Sequence, residues 1–195
     1  MRLFVALDPP EEVRAHLATA LRDRAPDLFR GAKPARPEQW HLTLAFLGEV
    51  PGVQVSAVWS AVARAAGTTG PLRLRLAGAG AFGQDRAVVW VGLTGDTEEL
   101  QRLAGVLRDR LRVVRVPLDT RPFRPHLTVA RGVDLRRPAA AAALAALTSY
   151  EGPWWTAQEL TLLHSRLGAG VGGSPRYDPV GAFPLGGPRP VAPPA

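Results

Sequence analysis

A four-residue pattern occurs twice in this chain, and it restricts the fold more than any other feature. The copies are His41-Leu42-Thr43-Leu44 and His126-Leu127-Thr128-Val129, and each lies in an apolar run typical of a β-strand. Side chains alternate between the two faces of a strand, so the histidine and threonine of each copy share one face. The chain therefore predicts two strands that are apolar towards a core and carry imidazole and hydroxyl groups on the opposite face.

Together the two copies would supply a general acid, a general base and two neutral hydrogen-bond donors for an anion. An imidazole has an ordinary pKa of about 6.5, so it can gain or lose a proton near neutral pH. A single histidine on a half-buried strand is more often an ordinary core or surface residue than a catalyst, and that interpretation stays open for each copy alone. Two matching copies among only four histidines favour a shared site.

The spacing of apolar residues predicts alternating strands and helices along the chain. We expect strands at 2–7, 40–46, 72–76, 87–91, 126–130, 160–167 and 177–183, and helices that end near 24, 66, 111 and 147. In this scheme each motif strand is followed by a helix and two strands. This weak repetition predicts a pseudo-symmetric α+β fold of two lobes, with the motif strands facing one another across a cleft. The sequence alone does not place these strands in contact, because the two motif histidines are 85 residues apart.

The doubled pattern resembles the H-x-T-x motifs of the 2H phosphoesterase superfamily, and its surroundings resemble the bacterial branch, the RNA 2',3'-cyclic phosphodiesterases or 2'-5' RNA ligases. The matching stretches are 2–8, 40–48, 87–92, 121–126 and 160–167 with Tyr177. The resemblance implies one bilobal domain over 1–185, with two antiparallel sheets facing a central cleft and helices outside. The Pro- and Gly-rich segment 186–195 falls outside it, and we expect this tail to be disordered or polyproline-like.

The resemblance also implies a reaction and a role for each motif residue. The reaction is the hydrolysis of a terminal 2',3'-cyclic phosphate of RNA to a 2'-phosphate. His41 would protonate the leaving 3' oxygen and His126 would activate water. The hydroxyls of Thr43 and Thr128 would bind the non-bridging phosphate oxygens. From the residues alone, the acid and the base cannot be told apart. In the reverse direction an RNA 5'-hydroxyl would replace water and form a 2'-5' bond without ATP.

Further candidates for substrate contact flank the motifs. Arg131, just past the second motif, matches a basic residue of the family and would contact phosphate or ribose. Arg124 should share the face of His126, two residues later, and would guide the RNA backbone. Ser165 and Tyr177 lie in stretches that resemble the family and would border the nucleobase, although Tyr177 could equally be a structural hydrogen-bonding residue.

Three other residues are predicted to lie outside the chemistry. Phe46 is three residues beyond Thr43, so regular alternation places it on the opposite face, in the core. His16, on a helix, and His164, which lacks the following threonine, are expected to be surface or core residues.

Composition limits the remaining function classes. The chain has no cysteine, which excludes disulfides, thiolate catalysis and thiolate metal sites. Neither motif histidine is followed three or four residues later by a histidine or carboxylate, so we expect no metal site and no cofactor. Since no apolar run approaches the roughly 20 residues of a membrane span, we expect a cytoplasmic protein with no membrane partner. We also expect a monomer.

The net charge of +7 suggests an anionic partner such as RNA. This indication is weak, because Lys33 is the single lysine among 24 basic residues and abundant arginine accompanies abundant alanine, glycine and proline. A compositional bias would produce the same charge whatever the function.

Two other interpretations stay open. Related members of the superfamily open other cyclic phosphates, such as ADP-ribose 1'',2''-cyclic phosphate, or cleave 2'-5' oligonucleotides, and they share the motifs. Comparison of substrates would separate these activities. The chain could also be a non-catalytic RNA-binding module that keeps the cleft. RNA binding that survived replacement of the histidines, with no turnover of any cyclic phosphate, would indicate such a module.

Overall fold

The computed structural model describes residues 1–119 and 121–186. Within these ranges, four α-helices alternate with the strands of a nine-stranded sheet. The helices are α1 (Glu11–Arg24), α2 (Val55–Ala66), α3 (Thr97–Val113) and α4 (Pro138–Ala146). The strands are β1 (Arg2–Leu7), β2 (Lys33–Pro34), β3 (Leu42–Glu49), β4 (Leu72–Phe82), β5 (Ala87–Gly95), β6 (Leu127–Val133), β7 (Glu151–Ala157), β8 (Glu159–Arg166) and β9 (Arg176–Pro184).

The strands form one antiparallel sheet in the order β7-β4-β5-β6-β3-β1-β8-β9, and β2 pairs with β6. We call β3-β1-β8-β9 the first half-sheet and β6-β5-β4-β7 the second half-sheet. The motif strands β3 and β6 meet in the middle through one pair of residues, Leu42 and Leu127. The predicted α+β fold is confirmed, with one correction: this pair joins the two expected sheets into one curled sheet.

The described helices contact the sheet in two groups, α2 with α3 and α1 with α4. Helix α2 contacts α3 and the strands β8 and β9 of the first half-sheet, and α3 also contacts β3. Helix α1 contacts β7, and α4 contacts β4, both in the second half-sheet. Helices α1 and α2 follow strands of the first half-sheet, and α3 and α4 follow strands of the second. Each group therefore contains one helix from the first half of the chain and one from the second.

The two faces of the sheet have different surroundings. In β1, Val5 and Leu7 are buried in the main core together with the helices. Phe4 and Ala6 alternate with them and form a small second cluster with Leu163 of β8. We call this second side of the sheet the open face, because the helices pack against the other side.

Helix α3 shows why the helices pack on the core side. Its fully buried leucines recur every three or four residues and form one apolar stripe, at Leu100, Leu103, Leu107 and Leu111. Acidic residues in its first turn and arginines in its last turn complement the helix dipole. The apolar stripe therefore fixes which face of α3 meets β3 and β4.

Strand β7 was not predicted from the sequence. Pro153 interrupts the strand pattern of 151–157, and β7 lies at the edge of the sheet, where proline's missing N–H costs no ladder bond.

The internal repetition also differs from the predicted one. Apart from the short β2, it consists of β1-α1-β3-α2 and β5-α3-β6-α4, so each unit is strand, helix, motif strand, helix.

One cluster of buried apolar side chains continues from Val5 in the first half-sheet to Leu74 in the second. In the two described ranges, no helix is long and apolar enough to cross a membrane. The tail was predicted to comprise residues 186–195, and residues 187–195 of it lie outside the described ranges.

Candidate active site between the half-sheets

The two motif strands meet at the centre of the sheet. Leu42 lies directly across from Leu127 in an antiparallel register, and each motif histidine immediately precedes its strand. In an antiparallel pair, the residue before one leucine lies near the residue after the other, so the histidine of each copy lies towards the threonine of the other copy. The two leucines are buried, whereas the histidines and threonines are half-buried. One strand pair therefore gathers motifs that are 85 residues apart.

Both motif strands carry the same irregularity. The pairing of β3 with β1 skips Leu44, and the pairing of β6 with β5 skips Val129 at the equivalent position. Such an extra residue is a β-bulge, and it breaks the alternation of faces. The next residues, Ala45 and Ala130, are also buried. The residues that follow them therefore turn to the open face.

Phe46 and Arg131 are the residues that the bulges turn outwards. Phe46 is 37% exposed, and the guanidinium of Arg2 lies 4.8 Å from the centre of its ring. The prediction that Phe46 belongs to the core was wrong, because it assumed unbroken alternation beyond Thr43. Arg131, at the equivalent position of β6, is exposed.

Two kinds of contact fix the ring of His41. Its Nδ1 lies 2.7 Å from the carbonyl oxygen of Gln39, and since a carbonyl only accepts, Nδ1–H is the donor. The ring also packs against Phe4, at 4.8 Å between centroids, and meets the edge of Tyr177 at 5.1 Å. With Nδ1 occupied, Nε2 is the nitrogen left to exchange a proton with a ligand.

His126 is held in the same way in the second half-sheet. Its Nδ1–H donates to the carbonyl oxygen of Arg124 at 2.6 Å, and Phe82 and Trp90 lie 5.2 and 6.4 Å from its ring centre. Gly80, across from Trp90 on β4, leaves space for the indole, because a Cβ atom there would lie 2.4 Å from that ring. Both motif imidazoles therefore offer Nε2 and rest on aromatic rings.

The pKa of both motif histidines is lowered, and burial is the main cause because it penalises the charged imidazolium. The hydrogen bonds to carbonyl oxygens oppose this effect and raise the pKa, and at His41 the carboxylate of Asp8 raises it too. Positive charges lower it further: Arg131 acts on both rings, Arg121 acts on His126, and His126 acts on His41. The carboxylate of Asp8 is what distinguishes His41 electrostatically.

This arrangement suits a reaction in which a small anion is bound while one group loses a proton and another gains one. The hydroxyls of Thr43 and Thr128 are neutral donors beside the two imidazoles, and Arg131 adds a cation that can hold phosphate oxygens. One imidazole can accept a proton while the other donates one. In the described ranges, no group of three or more histidines or carboxylates could hold a metal ion.

The other predicted contact residues occupy three different positions. Arg124 orients His126 through its carbonyl oxygen, and its side chain is exposed. Tyr177 is half-buried on the open face and contacts His41. Ser165 lies directly across from Tyr177 on β8 but is only 7% exposed. Contact of these residues with RNA stays a prediction.

The two remaining histidines have surroundings of their own. His16 on α1 is exposed, and its Nδ1 lies 3.0 Å from the hydroxyl of the buried Tyr150. His164 on β8 lies across from Asp178 of β9. Both positions agree with the structural roles predicted for them.

Sequence reasoning missed the groups that orient the motif histidines. Gln39 and Arg124 stand two residues before each histidine and act through main-chain carbonyls, which any residue type supplies. Phe4 and Trp90 lie on β1 and β5, beside the motif strands. Alternation along β1 would have placed Phe4 on the motif face if the strand pairing had been known, so the missing information was the pairing.

Comparisons with known proteins agree over most of the chain. The model of the 2'-5' RNA ligase superfamily matches residues 9–169. A curated Thermus thermophilus protein, named RNA 2',3'-cyclic phosphodiesterase, is 41% identical over 138 residues, which are 67% of this chain and 68% of that protein.

Solved structures extend the similarity to nearly the whole chain. The crystal structure of a Thermus thermophilus protein has a TM-score of 0.74 at 35% identity and covers 96% of this chain and 99% of its own. E. coli LigT, crystallised with 3'-AMP, has a TM-score of 0.73 at 29% identity and covers 94% and 97%.

Proposed function

The chain belongs to the 2'-5' RNA ligase superfamily, and from this premise we propose that it is an RNA 2',3'-cyclic phosphodiesterase that leaves a 2'-phosphate. The observation that carries the proposal is the pair of motif imidazoles whose matching Nδ1–H bonds leave both Nε2 atoms for proton transfer. The name of the Thermus relative, and the 3'-AMP bound to LigT, support a nucleotide substrate.

Opening the cyclic phosphate requires a base for the attacking water and an acid for the leaving oxygen, on opposite sides of phosphorus. We assign the base to His126 and the acid to His41. Nε2 of His126 accepts a proton from water as the water oxygen bonds to phosphorus. The bond from phosphorus to the 3' oxygen breaks, and Nε2–H of His41 protonates that oxygen. One proton is taken and one is given, and exchange with solvent restores both imidazoles.

The charges around the two rings support this assignment of acid and base. An acid must hold its proton before the reaction, and the carboxylate of Asp8 favours protonated His41. A base must be neutral, and Arg121 favours neutral His126 without acting on His41. Arg131 lowers the pKa of both rings and therefore does not distinguish them. The pseudo-symmetric geometry alone would allow either assignment.

The remaining site residues would stabilise the phosphoryl group. Negative charge on the non-bridging oxygens increases towards the transition state, and preorganised donors aimed at those oxygens lower the barrier. The hydroxyls of Thr43 and Thr128 and the guanidinium of Arg131 are suited to this role. These contacts and the metal independence of the reaction are part of the proposal.

The test uses a short RNA that ends in a 2',3'-cyclic phosphate, incubated with the protein in excess EDTA. We expect a 2'-phosphate product, and we expect His41→Ala and His126→Ala to lower kcat at least about 100-fold, as for loss of a general acid or base. His16→Ala is the matched control, because it removes an exposed imidazole that contacts Tyr150 instead of the motifs.

Each other result has a definite meaning. A 3'-phosphate product would contradict the assigned leaving group, because the bond from phosphorus to the 2' oxygen would then be the one that breaks. Loss of wild-type activity in EDTA would contradict metal independence. If no RNA end were opened, the proposal would fail, and another cyclic phosphate or a binding role would take its place.

We also propose that one chain suffices for activity, since both motifs come from the same chain. Its RNA substrate would be met in the cytoplasm. The same site would join RNA ends when a 5'-hydroxyl replaces water, with hydrolysis as the main direction because the unstrained diester forms unfavourably against water.

A further inference from the structure

The short strand β2 occupies part of the edge of β6 that faces away from β5. At the start of this edge, Leu127 pairs with β3. Further along it, the N–H of Ala35 donates to the carbonyl of Val129 at 2.9 Å, and Lys33 lies directly across from Arg131. Directly opposed side chains project from the same face, with Cβ atoms about 5 Å apart. Lys33 therefore lies beside Arg131 at the rim of the open face.

These two neighbouring cations have no anionic partner in the described part of the chain. The ion pairs formed among residues 1–119 and 121–186 involve neither Lys33 nor Arg131. By contrast, Arg136 lies between the carboxylates of Asp85 and Asp134. Like charges directly opposed on a strand pair are destabilising. The arrangement therefore favours an anion supplied by a ligand.

The first half-sheet has no equivalent of this pair of neighbouring cations among the described residues. The equivalent of Arg131 in the first half-sheet is Phe46, and the nearby cation, Arg2, is engaged on the ring of Phe46. Among the described strands, β2 has no counterpart beside β3. Two neighbouring positive charges, Arg131 and Lys33, thus extend from the motifs along one side of the site, with no anionic partner among the described residues.

We infer that Lys33 binds the phosphodiester that links the terminal nucleotide of the RNA to its 5' neighbour, so that the site prefers oligonucleotides to cyclic mononucleotides. This inference rests on the proposed function. Arg131 is close enough to the motifs for its charge to act on both imidazoles, which assigns it to the reacting phosphate. Lys33 lies on β2, the strand next to β6, and can therefore bind the next phosphate of the RNA.

The chemistry of lysine fits this role. Its ammonium is a compact charge on a flexible stem, which holds a phosphate without demanding one geometry. A contact with the phosphate backbone carries no sequence information, so it would serve any RNA end. Such contacts weaken as salt concentration rises, because binding releases counterions from the nucleic acid.

The test compares a cyclic mononucleotide, which lacks the upstream phosphodiester, with a dinucleotide that ends in a 2',3'-cyclic phosphate. For Lys33→Gln we expect KM to rise about fivefold on the dinucleotide and to stay unchanged on the mononucleotide, with kcat unchanged on both. Lys33→Arg should keep the wild-type KM. Arg24→Gln is the matched control, because it removes one exposed cation at the end of α1, a helix that packs on the core side.

A dinucleotide with an uncharged methylphosphonate linkage isolates the contact. The wild-type protein should bind this substrate about as weakly as Lys33→Gln binds the natural dinucleotide. Lys33→Gln should then cause no further rise in KM, because the charge it would meet is already absent.

The outcomes separate this inference from the proposed function. If the wild-type protein opens both substrates and Lys33→Gln has the same KM as wild type on the dinucleotide, the inference fails alone. An equal rise in KM on both substrates would assign Lys33 to the reacting phosphate and would also overturn the inference. If the wild-type protein opens neither substrate, the proposed function fails and the inference fails with it.

Discussion

The missing side chain of Gly80 determines where Trp90 can lie, and Trp90 contributes to the surroundings of His126. A methyl group at position 80 would lie 2.4 Å from the indole, so the ring must move. We expect Gly80→Ala to lower the free energy of unfolding by about 1–3 kcal/mol, as overpacking does. We also expect kcat to fall, because the contact between Trp90 and His126 changes.

Gly105 provides the matched control for this substitution. It lies in the interior of α3, and a Cβ atom there would meet nothing within 4 Å. Gly105→Ala should therefore raise the free energy of unfolding by up to about 1 kcal/mol, since alanine favours the helix over glycine. Urea denaturation of both variants, with turnover of a cyclic-phosphate RNA, measures both effects. Equal stability changes in the two variants would contradict the predicted crowding at Gly80.

At the scale of the strand, the bulge in β3 reverses the expected roles of two neighbouring residues. Phe46 is partly exposed on the open face, whereas Leu47 is fully buried. We expect Leu47→Ala to destabilise the protein by about 2–5 kcal/mol, as for other buried leucines. Phe46→Ala should cost about 1 kcal/mol or less, because its ring lies outside the main core. Urea denaturation distinguishes this result from the opposite order, which an unbulged strand would give.

The bulges also show how far the sequence determines these strands. Alternation correctly placed His41 and Thr43 on one face and Leu42 on the other. It failed at Phe46, because no residue type marks a bulge at Leu44. Strand β7 was not predicted for a related reason. Pro153 is compatible with an edge strand, but the edge position of β7 is known only from the order of strands in the whole sheet.

At the scale of the whole molecule, the repeated motif predicted two lobes and a shared cleft. The step that the sequence could not supply was the long-range pairing of Leu42 with Leu127, which brings the motifs together. The orienting carbonyls of Gln39 and Arg124 depend on the local path of the main chain. Family resemblance implied that the motif strands face one another across a cleft, but it did not supply their pairing. Local periodicity carries no information about partners so distant in the chain.

Charges from several elements meet at the two imidazoles and determine the pH dependence. Burial lowers the pKa of both His41 and His126 below the ordinary value of about 6.5. In the free enzyme, kcat/KM needs neutral His126 and protonated His41. It should therefore fall at low pH, where His126 becomes protonated, and fall again at high pH, where His41 loses its proton. We expect an optimum on the acidic side of about pH 6.5.

Asp8→Asn tests the influence of this carboxylate on the pKa of His41. After burial and the Gln39 carbonyl, the carboxylate of Asp8 is the next influence on the pKa of His41, and it raises that pKa. Its removal should lower the pKa of His41 further. The limb of the kcat/KM profile that His41 determines should therefore move to lower pH, and the limb that His126 determines should stay in place. Glu159→Gln is the control, because Glu159 lines the same surface cavity as Asp8 but is not among the charges that act on His41. An unchanged profile for Asp8→Asn would contradict this influence of Asp8 on His41.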